Sequence, residues 1–225
     1  MTETDVPDKI PFELTQTDLE NLAGGDEKFK PHDWEDLKHI IAENNLEILK
    51  RKPSDLRRYI TWTNETKTKL PSITDFICSQ RLFWNPLPES SPETGPLFDC
   101  CGTIPFADPN DYKILMNDWP YGITQDVTHL IVWSKLRLPD QKPEGYLTPE
   151  STALVESFVE RTFTERLASF EDVNARDSVL WFRNWTGLQS VRGLEHVHVL
   201  VKDAPLALLE EWTTTHELGP EAILD

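Results

Sequence analysis

From Asp33 the apolar positions Trp34, Leu37, Ile40, Ile41, Ile48 and Leu49 recur at helical spacing, and Pro53 stops the run just after Lys50-Arg51-Lys52. Ser54 and Asp55 then offer caps for a second helix through Arg57, Arg58 and Ile60. The stretch 82–111 carries Pro86, Pro88, Pro92, Pro96, Pro105 and Pro109 with no sustained period, which predicts a long loop folded over a site. Beyond it the pattern predicts strands at 112–116 and 129–133, separated by the turn-rich Asn117-Asp118-Trp119-Pro120-Tyr121-Gly122. Thr148 reads as the N-cap of a helix with Pro149 at its first position and Ser151 where a capping box has Glu, running to about Phe170. Two further strands follow at 179–183 and 196–201, and the tail from Pro205 holds a short helix. Helices first, then strand, strand, helix, strand, strand, argues for an α+β fold: an antiparallel sheet with flanking helices and an N-terminal helical extension. No internal repeat is visible.

Residues 1–30 are acidic and carry Pro7, Pro11 and Gly24-Gly25, which reads as a flexible N-terminal segment ahead of a single α+β domain over 31–225. With 38% apolar and 27% charged residues, the composition is that of a folding globular chain. Its 39 acids against 22 Lys and Arg give a net charge of −17, which excludes a uniformly basic nucleic-acid binder. A local exception stands out between Lys50 and Lys69, where Lys50, Arg51, Lys52, Arg57, Arg58, Lys67 and Lys69 face only Asp55 and Glu65. Such an island, with Tyr59 and Trp62 inside it, suits phosphate-backbone contact, and equally a solvated helix face paired with acidic surroundings. Cys78 and the adjacent Cys100 and Cys101 form an odd set that favours a reducing compartment. No run approaches the ~18 apolar residues of a membrane span, so a cytoplasmic protein is expected.

In Glu195-His196-Val197-His198 the strand period of two places both imidazoles on one face. Neutral imidazole near pH 7 serves as nucleophile, acid, base or metal ligand, and a half-exposed strand with polar residues outward explains the spacing as well. No Cys or third His stands at zinc-like spacing from the pair, so no metal or other cofactor is expected. A Gly-rich phosphate loop and a Gly-x-Ser-x-Gly elbow are both missing. The segment 181–192 offers Asn184, Gln189, Ser190 and Arg192 as donors beside the imidazoles, with Trp185 as a stacking surface; a hairpin loop over a packed aromatic is the plainer alternative.

Residues 112–201, with Asn117-Asp118-Trp119-Pro120-Tyr121, His129-Leu130-Ile131-Val132-Trp133-Ser134-Lys135, Gln189-Ser190-Val191 and His196-x-His198, resemble the histidine-triad nucleotide hydrolases and transferases. That resemblance puts His196 in the place of the nucleophile, with Leu194 where the first histidine belongs and one residue inserted after Val191. Over nearly the whole chain, Asn-Asp-Trp-Pro-Tyr-Gly, His-Leu-Ile-Val-Trp-Ser-Lys and Leu-Trp-Phe-Arg-Asn-Trp are similar to the fungal family of N-acetylglucosamine-induced proteins. That family includes arginine-containing cyclodipeptide synthases, which condense the arginyl group of arginyl-tRNA with a second amino acid into a diketopiperazine.

Together the two resemblances imply a pocket for the terminal adenosine of a charged tRNA. His196 or His198 would be the general base, Asn184 and Ser190 would stabilise the oxyanion, and Ser190 would be the hydroxyl of any acyl-enzyme. Asp118 and Glu195 would meet the arginyl guanidinium. Asn117, Trp119, Tyr121, His129, Trp133, Lys135, Trp185, Gln189 and Arg192 would complete the substrate site, and the 50–69 island would hold the acceptor stem. The alternatives are hydrolysis or transfer of a nucleotide phosphoanhydride, and a non-catalytic nucleotide-binding protein.

Overall fold

The computed structural model describes residue 14 and residues 16–91, 95–170 and 174–217. The first half of the expected flexible segment, 1–13 with 15, lies outside the described residues, as does Pro92 of the long loop. Contacts cluster into two compact units, Met1–Phe76 with Asp118–Gln125 and Ile77–Asn117 with Asp126–Asp225.

The first unit is helical. Helix α1 (Gln16–Gly24) buries Leu22 against Leu56, Tyr59 and Ile60. Helix α2 (Trp34–Ala42) opens on a capping box, in which the Asp33 carboxylate accepts from the Asp36 N–H at 2.9 Å and Asp36 accepts from the Asp33 N–H at 3.4 Å. The apolar spacing suggests that this helix continues to Leu49, but it ends at Ala42. Asn44 takes a left-handed φ of 53°, and the N–H groups of Asn44 and Asn45 return to the carbonyls of Ile41 and Ile40, a Schellman closure that asparagine tolerates. Leu46 and Leu49 are buried from the turn that follows.

Helix α3 (Pro53–Lys69) starts with Pro53 at its first position, but neither Ser54 nor Asp55 caps it. The cap comes from a distant residue: Asp26 accepts the Ser54 N–H at 2.9 Å and pairs with Lys52 at 2.9 Å. Partial burial would raise the Asp26 carboxyl, but these partners hold it below its ordinary value. Asp26→Ala removes this cap and is expected to cost about 1 kcal/mol. A melting temperature unchanged in that variant would show that the interaction adds nothing to stability. Helix α4 (Ile73–Phe76) and the strap 118–125 close the unit around Trp119, whose ring lies 5.3 Å from those of Tyr59 and Trp62. Gly122 lies hard against the Phe29 ring, where a Cβ would come within 2.2 Å, and its N–H and carbonyl bond to Lys50 and His32.

The second unit is the sheet. Among the described residues it has four antiparallel strands in the order β1 (Tyr112–Met116), β2 (Val127–Ser134), β6 (Glu195–Lys202) and β5 (Val179–Phe182), beside a two-strand ribbon of β3 (Asp140–Gln141) and β4 (Tyr146–Leu147). One sheet face carries Ile114, Leu130, Val132, Val197, Val199 and Val201. Helix α5 (Pro149–Val159) covers it with Val155 and Phe158, and α7 (Leu206–Glu217) with Leu208 and Trp212. The Thr148 hydroxyl caps α5 by accepting the Ser151 N–H at 3.2 Å. The helix then widens into a π turn at Glu160–Thr164 and ends in α6 (Glu165–Leu167), short of Phe170.

The long loop is anchored at two points. Phe106, at φ 62°, is buried against Phe158 with ring centroids 4.7 Å apart, and the fully buried Asp111 carboxylate accepts the N–H groups of Cys101 and Gly102.

Candidate functional site

The opposite sheet face gathers the histidines. Antiparallel register sets Trp133 against His196 and Ile131 against His198, and the strand period brings His129 to the same face. Phe182 on β5 stands opposite His198 and stacks on its ring at 4.6 Å and 5°. All three imidazoles are buried, with His196 5%, His198 6% and His129 4% exposed, so β6 is covered on both faces rather than half-exposed.

His129 Nε2 and His198 Nδ1 are 2.9 Å apart. The Asn184 amide nitrogen lies 3.4 Å from His198 Nε2. With that amide as donor, His198 carries its proton on Nδ1 and donates it to His129. The Asn117 amide nitrogen sits 3.3 Å from both ring nitrogens of His129, and its backbone N–H bonds to the His129 carbonyl at 2.9 Å. His196 Nδ1 donates to the Leu194 carbonyl at 2.9 Å, which leaves the lone pair on Nε2. Burial pushes its imidazole below its ordinary value, against the Leu194 carbonyl and Glu195, which act the other way. His196 is therefore a neutral base at pH 7, with its ring 4.7 Å from that of Trp133.

The other sequence candidates are placed less uniformly. Gln189 donates to the Asn184 carbonyl at 2.8 Å and so braces the loop that aims Asn184. Ser190 is exposed and hydrogen-bonds to no described imidazole, so nothing in this arrangement activates its hydroxyl. Trp185 packs edge-on against Tyr146 at 5.8 Å. Lys135 bonds to the Asp99 carbonyl and pairs with Asp111. Glu195 points away from the histidine face and already holds a guanidinium of its own chain: Arg183 Nε lies 2.7 Å from Oε1. Its second oxygen accepts from Arg183 at 3.3 Å and from the Leu138 N–H at 3.2 Å.

Trp119 and Tyr121 belong to the helical unit with Asp118, and Arg51 lies over Tyr59 and Tyr121 while donating to the Trp119 carbonyl. Of the basic island, Arg57 donates to the Leu22 carbonyl, Lys52 pairs with Asp26 and Arg58 with Asp55. Lys67 and Lys69 are exposed, and Lys50 is half-buried. Among the described residues no group of three or more His, Cys, Asp or Glu converges to hold a metal ion, and no helix is long and apolar enough to cross a membrane.

Sequence reasoning missed Phe182, Arg183 and Arg137. The first two were recoverable, since antiparallel pairing of 179–183 with the histidine strand puts Phe182 opposite His198. Arg137, which donates to the carbonyls of Arg192 and Gly193, carries no local signal.

Residues 33–202 match the family described as Protein of unknown function (DUF3605), and the chain belongs to it. N-acetylglucosamine-induced protein 1 of Candida albicans is 32% identical over 80% of this chain and 72% of its own length. The uncharacterized protein YPL067C of Saccharomyces cerevisiae is 28% identical over 75% of this chain and 77% of its own. The crystal structure of HTC1 aligns with a TM-score of 0.54 at 25% identity, covering 82% of this chain and 90% of that one.

Proposed function

We propose that this protein is an arginine-containing cyclodipeptide synthase whose sheet core is of histidine-triad-like type. The observation that carries the reading is His196, a buried imidazole held neutral with its Nε2 lone pair directed by the Leu194 carbonyl. It stands next to the hydrogen-bonded pair His129–His198 on one sheet face, with ring centroids of His196 and His198 5.4 Å apart.

In the proposed reaction the α-amine of the second aminoacyl group attacks the ester carbonyl of arginyl-tRNA. The new C–N bond forms, the C–O bond to the terminal ribose breaks, and His196 Nε2 takes the amine proton and returns it to the leaving ribose oxygen. Repetition on the dipeptidyl ester closes the diketopiperazine and frees the second tRNA. The Asn184 amide is the donor we assign to the oxyanion, and the acceptor-stem contact is assigned to the basic island between Lys50 and Lys69.

The test is incubation of the protein with the full set of aminoacyl-tRNA synthetases, tRNA, ATP and the twenty amino acids, read by mass spectrometry. An RNase-sensitive, arginine-containing diketopiperazine is expected. The same Nε2 lone pair suits attack on phosphorus, so ATP or dinucleotide turnover by the protein alone, with no diketopiperazine, would overturn the proposal in favour of phosphoanhydride hydrolysis or nucleotidyl transfer.

A further inference from the structure

The sheet face that carries the histidines also carries a lysine with no part in the proposed acyl transfer. In β1 the core side chain is Ile114, so the strand period puts Lys113 and Leu115 on the opposite face. Register then builds one row across three strands, with Lys113 against Trp133 and Trp133 against His196. At the ordinary spacing of strands, the backbone of Lys113 lies about 10 Å from that of His196.

The chain supplies no counter-charge to this ammonium. Lys113 is half-buried, and no carboxylate of the described residues pairs with it, although the chain holds 39 acids. What it meets is the ring of Phe83, with Nζ 5.3 Å from the centroid. The nearby charge is a second cation, Lys135, which is committed to the buried Asp111 at 3.6 Å and to the Asp99 carbonyl at 3.1 Å. Burial, and after it the charge of Lys135, pushes the Lys113 ammonium below its ordinary value. A cation so placed is unfavourable until an anion joins it.

Phe83 is strained into its contact. Its φ is 54°, a left-handed conformation that a bulky side chain rarely takes, and 49% of the residue stays exposed, so burial does not offset the strain. What the conformation secures is an aromatic face beneath the ammonium, which holds the charge in place with its other side open to a ligand.

We propose that Lys113 is a specificity residue that binds the side-chain carboxylate of the second amino acid, so that the product is the cyclic dipeptide of arginine with glutamate or aspartate. This rests on the synthase reading. With the ester carbonyl at His196, a side chain that follows the row over Trp133 ends at the lysine. A phosphate monoester offers the same oxyanion chemistry, but its charge of about −2 calls for a second cation, and Lys135 already has Asp111.

The experiment titrates the full-length protein with cyclo-Arg-Glu and cyclo-Arg-Asp, with their neutral amides cyclo-Arg-Gln and cyclo-Arg-Asn, and with AMP, for wild type, Lys113→Met and Lys113→Arg. Methionine keeps the apolar stem and removes only the charge, so its melting temperature should not fall below that of the wild type. Wild type binds at least one acidic compound tighter than its amide by about tenfold or more, Lys113→Met binds the two alike, and Lys113→Arg restores the preference. No binding of any probe, equal binding of acid and amide by wild type, or a preference that survives Lys113→Met overturns the proposal. AMP binding that depends on Lys113, with no preference between acid and amide, overturns it in favour of a phosphate. Diketopiperazine formation by wild type with no acidic residue in the product would remove the specificity and leave the synthase. A Lys113-dependent preference for the acidic compounds without any diketopiperazine formed would do the reverse.

Discussion

Replacing Glu195 with alanine is expected to destabilise the sheet unit by about 3–5 kcal/mol, because it strands a buried guanidinium. Arg183 is 7% exposed and the Glu195 side chain 2%, and the bidentate contact between them is the shortest ion pair to either group. Asp140, at 3.7 Å, is too distant to take over the hydrogen bonds. For a chain of 225 residues this loss corresponds to a fall in melting temperature of about 6–20 °C. The double substitution Glu195→Met with Arg183→Met is expected to regain most of the loss, since removing both charges also removes their desolvation cost. A single variant that melts with the wild type would show that water reaches Arg183. The exposed pair Arg166–Glu211 is the control, and breaking it is expected to leave the melting temperature unmoved.

His196→Gln is the second decisive change, with an expected loss of diketopiperazine formation of about 10²–10⁴-fold, the usual range for a positioned general base. Glutamine can keep the hydrogen bond to the Leu194 carbonyl but cannot accept and return a proton. Burial holds the His196 pKa below the ordinary 6.5, so the wild-type rate should be flat above neutrality and fall as acid protonates Nε2. The sign for stability follows from the same direction. The unfolded imidazole takes a proton near 6.5 while the folded one does not, so the His196 contribution is fully present above that pH and declines below it. His196→Gln should therefore weaken the loss of melting temperature between pH 7 and pH 5. A folded His196→Gln enzyme at wild-type rate would remove His196 from the chemistry.

The four main strands were legible because the strand period and the turn residues around them are local. Their ends lie within two residues of the expected bounds, while the order in which they pair is set by contacts distant in the chain. The Thr148 cap was legible for the same reason. The end of α2 was not, since Ile48 and Leu49 preserve the helical spacing while the break depends on a single left-handed asparagine. Nor was the cap of α3, because Asp26 comes from outside the helix.

The site divides along the same line. That His196 and His198 share a face is a property of one strand, but the His129–His198 bond joins strands 69 positions apart. The charge of the 50–69 island was plain, yet its partners, the carbonyls of Trp119 and Leu22 and the carboxylate of Asp26, enter from three other segments. Of the two carboxylates assigned to a substrate guanidinium, Glu195 holds Arg183, a residue just past the end of the neighbouring strand β5.

The helical unit is made from two stretches of chain, one ending at Phe76 and the other supplying Asp118–Gln125. On a translating ribosome the second stretch follows about 2–10 s after the first. During that interval Tyr59 and Trp62 emerge without Trp119, and Arg51 lacks the Trp119 carbonyl it will bond. The unit cannot be completed until residue 125 has been synthesised. It waits until the first hairpin of the other unit is being made, and a fragment cut at residue 76 would lack the Trp119 contacts altogether.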